Sequence, residues 1–201
     1  DTPLLAFDKL LVAKGDIGFG SNWDGPNRIG GELCVLSPVR PDGKLTTVHK
    51  GMISDYDLNW DGRRVLFSDR QALWELDLCS TGDVPRRVSS EKPDVTHYDG
   101  CYLPNGQIVS ACNACYQAVP CTGQPNVGNL HLMEADGKNE RRITYDQDHD
   151  WNPTVMQDGR VLYSRWEYAD IPHYFSRFLF RMNPDGTAQM EYYGSGSYWP
   201  N

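Results

Sequence analysis

One phrase occurs three times in this chain: a polar start rich in Asp or His, a turn of the Asp-Gly or Asn-Gly type, and a short apolar run. The turn glycines are Gly62, Gly106 and Gly159. They lie about 44 and 53 residues apart, and periods of this size are typical of β-propeller blades and other stacked repeats. The repeat therefore predicts an array of blades rather than one compact α/β unit.

Each turn lies between two apolar runs with strand composition, and Asn, Asp and Gly tolerate the positive φ of tight hairpin turns. A second apolar phrase follows each hairpin, at residues 72–78, 129–137 and 178–186, and is typical of a third strand that turns into a fourth. No apolar stripe of helical period persists for ten residues. We therefore predict an all-β chain of about three complete four-stranded blades, with a partial blade at each end.

The order of these phrases predicts two regions. Residues 1–30 hold one strand, near residues 4–12, and a Gly-rich loop, whereas residues 31–201 form the blades, beginning with the outer half of one. Residues 197–201 restart the repeated phrase and then stop. Because propellers typically close with four to eight blades, we expect a propeller segment that is cut in the middle of a blade.

Composition limits the function classes. The chain has 19 Lys and Arg against 27 Asp and Glu, a net charge of −8, and no basic run. Such a chain is a poor partner for nucleic acid or for an anionic membrane surface. No apolar stretch approaches the ~20 residues of a membrane span. Six cysteines are many for a reducing compartment, so we expect an extracytoplasmic protein.

The candidate site is the mouth of the predicted channel. The first strand of each blade lines a propeller channel, and binding residues gather on loops that a rigid scaffold holds. Counting back from the turn glycines places Asp55, Asp99 and Asn152 at equivalent positions. The side chains predicted to bind a ligand there are Asp55, His97, Asp99, His149, Asp150, Trp166, Glu167 and His173.

Some of these side chains could bind a divalent metal or exchange protons, namely His97, Asp99, His149 and His173. The alternative is that Asp and His at the starts of blades hydrogen-bond to neighbouring main chain and hold adjacent blades together. We favour this structural role, because the sequence has no compact HxH or HExxH spacing. His49 and His131 alternate with apolar residues, and we predict that both are structural.

The segment 166–175 is dense in aromatic residues. It could cradle a planar ligand or a sugar, or anchor a partner protein. It could equally fold over the blade and pack against its neighbour, which is the interpretation that we prefer.

Four cysteines fall close together: Cys101, Cys112, Cys115 and Cys121. The pair Cys112-x-x-Cys115 could bind zinc, cycle between redox states or belong to a haem attachment site. Covalent haem attachment needs His directly after the second Cys, but Tyr116 stands there. Structural disulfides are the leading hypothesis, for instance Cys115 to Cys121 or Cys101 to Cys112. No motif within the chain predicts a cofactor.

Pro153 through Asp158-Gly159 to Tyr163-Ser164 resembles the TolB-type, WD-like propeller repeat. Over residues 53–68, 99–121 and 146–201 the chain resembles more closely the propeller domain of hydrazine synthase alpha subunit-like proteins, which are large secreted bacterial proteins. Hydrazine synthase itself, to which this resemblance points, has a periplasmic alpha subunit. It carries c-type haems on CxxCH motifs and joins nitric oxide with ammonium through hydroxylamine. This chain has no CxxCH.

The resemblance implies a scaffold and binding module of a larger secreted protein, in which any c-type haem or divalent metal belongs to the parent. The expected partners are other domains of the same parent, a protein or a small ligand. Two alternatives remain. One is a metal-dependent oxidoreductase, lyase or hydrolase with its site at the channel mouth, and the other is a TolB-like protein-binding propeller.

Overall fold

The computed structural model describes residues 7–15, 30–80, 82, 84–119, 123, 126–167 and 177–194. All regular secondary structure in these ranges is β-strand, in fifteen strands. No helix in the described ranges is long and apolar enough to cross a membrane.

The strands form four antiparallel sheets in chain order. Sheet I contains β1 (Leu10–Lys14), β2 (Gly30–Ser37) and β3 (Lys44–Ile53). Sheet II contains β4 (Asp55–Leu58), β5 (Arg64–Ser68), β6 (Leu73–Asp77) and β7 (Arg86–Arg87). Sheet III contains β8 (His97–Tyr102), β9 (Ile108–Cys112), β10 (Asn129–Met133) and β11 (Arg141–Arg142). Sheet IV contains β12 (Asp150–Val155), β13 (Val161–Trp166), β14 (Arg177–Met182) and β15 (Met190–Tyr193).

The predicted all-β fold is confirmed, because sheets II, III and IV are three complete four-stranded blades in simple up-and-down order. Sheet I is the partial blade at the N-terminal end. It has three strands rather than the outer two, since β1 pairs with β2 over its whole length. The partial blade predicted at residues 197–201 lies outside the described residues.

The core lies between successive sheets. Alternate residues of a strand point to opposite faces, so Leu66 of β5 packs towards sheet III, whereas Val65 and Phe67 pack towards sheet I. The same alternation along β9 sends Ile108 towards sheet II and Val109 towards sheet IV. Each inner blade is therefore buried on both faces, and its central strands have few exposed positions.

In sheets III and IV, a glycine in the turn between the third and fourth strands brings the blade close to the preceding one. Gly137 has a φ of +81°, and a Cβ added there would collide with the carbonyl oxygen of Val88 beside sheet II. Gly186 has a φ of +90° and meets Ile143 beside sheet III in the same way. These turns require glycine for the positive φ and also for the close approach.

We predict that Gly137→Ala lowers the free energy of unfolding much more than Gly159→Ala. Gly159 has an almost identical φ of +82°, but a Cβ there meets no described atom within 4 Å. The left-handed conformation should cost each variant roughly 1–2 kcal/mol. The collision with Val88 should add about 2 kcal/mol or more to the loss in Gly137→Ala. Urea unfolding of both variants measures the difference, and equal losses would contradict the close approach.

Candidate functional site

The first strands of sheets III and IV, β8 and β12, each contain a bulge. The pairing register shifts between Tyr98 and Cys101 in β8 and between Trp151 and Thr154 in β12. Asp99 and Asn152 occupy these bulges with φ values of 51° and 50°. Asp and Asn tolerate this left-handed conformation better than other residues with a side chain.

Side chains at the three equivalent positions join these bulges from blade to blade. The carboxylate of Asp55 accepts the main-chain N–H groups of Asp99 at 2.9 Å and Gly100 at 3.3 Å, and the Ser68 hydroxyl donates to the same carboxylate. The carboxylate of Asp99 in turn accepts the main-chain N–H of Asn152 at 3.1 Å and its side-chain N–H at 3.2 Å. We call this run of bonds the carboxylate chain.

A second contact runs parallel to the carboxylate chain. Asp57 accepts the main-chain N–H of Tyr102 at 2.8 Å. The first strand of sheet II thus bonds the first strand of sheet III through two side chains, Asp55 and Asp57.

The carboxylate chain carries unusual electrostatics. Burial, together with the nearby Asp55 carboxylate, raises the pKa of Asp99 to about 7, although the N–H of Asn152 opposes the rise. Burial also raises the pKa of Asp55, against the hydrogen bonds from Ser68 and from sheet III. Asp55 and Asp99 are half-buried, and two neighbouring acids in such surroundings resist being charged together.

We predict that Asp99→Asn changes the pH dependence of stability. The pKa of Asp99 is higher in the folded chain than its ordinary 3.8. The folded chain therefore binds more protons than the unfolded chain between these values, and the contribution of Asp99 to stability falls as the pH rises from about 4 to about 7. Asparagine keeps an acceptor oxygen and tolerates the left-handed backbone. From pH 5 to pH 8 the variant should gain about 1 kcal/mol or more relative to wild type.

Urea unfolding at several pH values measures this gain. Asp158→Asn is the control, because Asp158 is exposed and the hydrogen bond from Arg160 lowers its pKa. Parallel stability curves for Asp99→Asn and wild type would refute a raised pKa at Asp99.

His149 belongs to an aromatic stack rather than to the carboxylate chain. Its ring lies 4.7 Å from the ring of Trp151 and 6.0 Å from that of Trp166, nearly parallel to both. The main-chain N–H of Gly128 donates to His149 Nδ1 at 3.0 Å. The guanidinium of Arg177 lies 5.2 Å from the centres of both Trp rings. His149 and Trp166 are buried, and these contacts fill the core beside sheet IV.

Asp150 and Glu167 lie next to Arg165. The guanidinium forms ion pairs with Asp146 at 2.5 Å, with Asp150 at 3.3 Å and with Glu167 at 3.8 Å. Burial and the neighbouring Asp146 carboxylate raise the pKa of Asp150, and Arg165 opposes this rise. Arg165 therefore compensates the fully buried Asp150 and also pairs with the more exposed Asp146 and Glu167.

We predict that Arg165→Ala lowers the free energy of unfolding by roughly 3–5 kcal/mol, because removing this partner leaves the buried Asp150 carboxylate without its counter-ion. Arg160→Ala should lose much less, since the Arg160 pair with Asp158 is largely exposed. Chemical denaturation of the two variants gives the comparison. Similar losses would show that the Arg165 cluster is no more than a surface network.

A separate polar cluster lies between sheets II and III. His97 Nε2 lies 3.6 Å from Cys112 Sγ and 3.5 Å from Glu140 Oε1. His131 Nδ1 lies 3.0 Å from the same Glu140 oxygen. His97 is fully buried, and Glu140 follows the turn after β10. We call these four residues the His–Cys–Glu cluster.

The surroundings set the protonation of this cluster. Burial lowers the pKa of His97 to about 4 and raises the pKa of Cys112 to about 12. Burial would raise the pKa of Glu140, but the hydrogen bond from His131 and the nearby His97 outweigh it and lower this pKa to about 2. The His97 imidazole is therefore neutral and the Cys112 thiol protonated, beside the charged Glu140 carboxylate.

The predicted site residues within the described ranges thus divide among four places, one of which is the His–Cys–Glu cluster that contains His97. Asp55 and Asp99 meet in the carboxylate chain, Asp150 and Glu167 meet at Arg165, and His149 stacks with Trp166. Three of the predicted metal ligands lie in the described residues: His97, Asp99 and His149. Each has different neighbours, so the three do not come together in one site. His173 lies outside the described residues.

Sequence reasoning missed Glu140, Arg165 and the part played by His131. The register of the β8–β9 hairpin could have found half of the His–Cys–Glu cluster, because His97 and Cys112 are direct cross-strand partners. No linear spacing points to Glu140, which only the packing of blades brings near His97.

The described cysteines are free: Cys34, Cys79, Cys101, Cys112 and Cys115. The bridge predicted between Cys101 and Cys112 does not form, because the bulge in β8 places Cys101 opposite Val109 and Cys112 opposite His97. Cys115 Sγ instead lies 3.1 Å from the carbonyl oxygen of Val127. Cys121, the predicted partner of Cys115, is outside the described residues.

No protein-family model and no curated protein matches this sequence. Solved structures do resemble it. A TolB-type protein of Agrobacterium tumefaciens is 17% identical with a TM-score of 0.60, over 93% of this chain and 63% of that one. Hydrazine synthase of Kuenenia stuttgartiensis is 14% identical with a TM-score of 0.64, over 83% and 28%. An oligogalacturonate lyase in complex with manganese is 16% identical with a TM-score of 0.59, over 92% and 49%.

At these identities the likeness shows the fold and not the function. The neighbours are β-propellers, which confirms the predicted propeller architecture. This chain spans less than two thirds of each of the three structures, from 28% to 63% of their length.

Proposed function

We propose that this chain is a scaffold and binding module within a larger hydrazine synthase alpha subunit-like protein that works outside the cytoplasm. One observation carries the scaffold role. The acids predicted to face the channel, Asp55 and Asp99, accept main-chain N–H groups of the following blade. Groups committed to such bonds hold blades in place and are poorly available for acid–base chemistry.

The sequence resemblance and the hydrazine synthase neighbour support the choice of parent. Because the chain contains no CxxCH, the proposal assigns any c-type haem to other parts of that parent. The partner of the module is then another domain of the same parent. The secreted location follows from the resemblance to a secreted family.

The test compares the chain with its parent in a bacterial host that matures c-type haem in the periplasm. We expect residues 1–201 alone to show no Soret absorption. We expect the parent without these residues to keep its haem absorption but to lose thermal stability or solubility. A Soret band from the chain alone would overturn the proposal, and so would a parent whose stability does not change when the segment is deleted.

A further inference from the structure

We propose that His97, Cys112 and Glu140 bind one zinc-type divalent ion at the interface between sheets II and III, and that His131 holds Glu140 in position. The nitrogen, sulfur and oxygen atoms of the three ligands lie within 4.8 Å of one another. This ligand set differs from the metal site predicted at the channel mouth, and the inference does not depend on the proposed function.

Two of the three ligand-to-ligand distances fit a tetrahedral ion. With Zn–S near 2.3 Å and Zn–N near 2.0–2.1 Å, two ligand atoms on a tetrahedron lie about 3.5 Å apart for N and S and about 3.4 Å apart for N and O. The observed separations are 3.6 Å from His97 Nε2 to Cys112 Sγ and 3.5 Å from His97 Nε2 to Glu140 Oε1. The N–O separation is long for a hydrogen bond and the N–S separation is within the range of one, and both suit a shared cation.

Strand direction explains why these groups converge. Cys112, Ser110 and Ile108 alternate along β9 and share the face towards sheet II, and His131 has the same orientation on the adjacent strand β10. His97 begins β8 directly opposite Cys112. The turn after β10 then brings Glu140 over the group, where the Ser90 hydroxyl donates to Glu140 Oε2 at 3.0 Å.

His131 supplies the outer support. It lies 3.0 Å from Glu140 Oε1, so its Nδ1–H can donate to the carboxylate and fix its orientation. The side chain of Glu140 is 10% exposed, whereas that of His97 is not exposed at all. Glu140 therefore lies on the side from which an ion would enter.

The types of ligand atom determine which metal ion the site favours. Thiolate and imidazole groups favour zinc and related transition ions over Mg²⁺ or Ca²⁺, which prefer oxygen ligands. The Cys112 thiol would lose its proton to solvent as the sulfur–metal bond forms. Thiolate and carboxylate together then balance the two positive charges of the ion within a buried interface.

Co²⁺ titration of the reduced full chain tests the site directly. We expect one equivalent to bind and to give both a thiolate-to-cobalt charge-transfer band in the near ultraviolet and the intense visible bands of four-coordinate Co²⁺. Excess Zn²⁺ should remove both. A wild-type chain that shows no charge-transfer band would overturn the proposal, and this result does not depend on how any variant folds.

Matched cysteine variants locate the ligand. Cys112→Ser should abolish the charge-transfer band and weaken binding at least about tenfold. Cys115→Ser should leave both unchanged, because Cys115 Sγ contacts the carbonyl of Val127 instead. Retained binding in Cys112→Ser, or an equal loss in Cys115→Ser, would contradict the assignment.

If His131 positions Glu140 and does not bind the ion, its substitution should differ in effect from that of Cys112. His131→Gln should keep the charge-transfer band but weaken Co²⁺ binding about tenfold or more. Loss of the band in His131→Gln, in a variant whose circular dichroism matches wild type, would make His131 a ligand and overturn its role as outer support.

Discussion

The arrangement of this chain depends on hydrogen bonds that one blade's carboxylates accept from the next blade's main chain. A bulge in the first strand turns main-chain N–H groups away from their own sheet, and Asp55 or Asp99 accepts them. The bond needs a left-handed residue on one blade and an acid on the preceding one. It therefore fixes the distance and the rotation between neighbours more tightly than apolar packing can, because hydrogen bonds are directional.

The two kinds of contact divide the interface between blades. Apolar side chains such as Leu66 and Ile108 fill its middle, where burial of area supplies most of the stabilisation. Polar groups lie at its margins, with the carboxylate chain along the first strands and Glu75 accepting the Tyr102 hydroxyl at 2.8 Å farther out. Burial makes these polar groups costly unless they are paired, so their partners must come from the correct neighbouring blade.

Much of this fold is visible in the sequence, because local patterns determine it. The turn glycines and the apolar runs around them mark the hairpins, and the shared spacing gives the equivalence of Asp55, Asp99 and Asn152. The polar clusters are less visible, since they join residues that are distant along the chain. The bulge at Asp99 shifts the pairing register of the strands. Counting residues outward from the hairpin turn therefore assigns the wrong cross-strand partners. Glu140 lies near His97 only because of the path of the turn after β10, and no spacing of residues in the sequence predicts that path.

The alternation along the central strands limits how such a chain can change. Neighbouring residues such as Val65 and Leu66 serve different interfaces, so each blade carries two unlike surfaces, one matched to its predecessor and one to its successor. A duplicated blade inserted beside its original would meet its own copy across an interface for which neither surface was shaped. Growth of the array by duplication therefore requires compensating changes on two faces at once, which explains why its blades share turns and spacing but differ in the side chains between them.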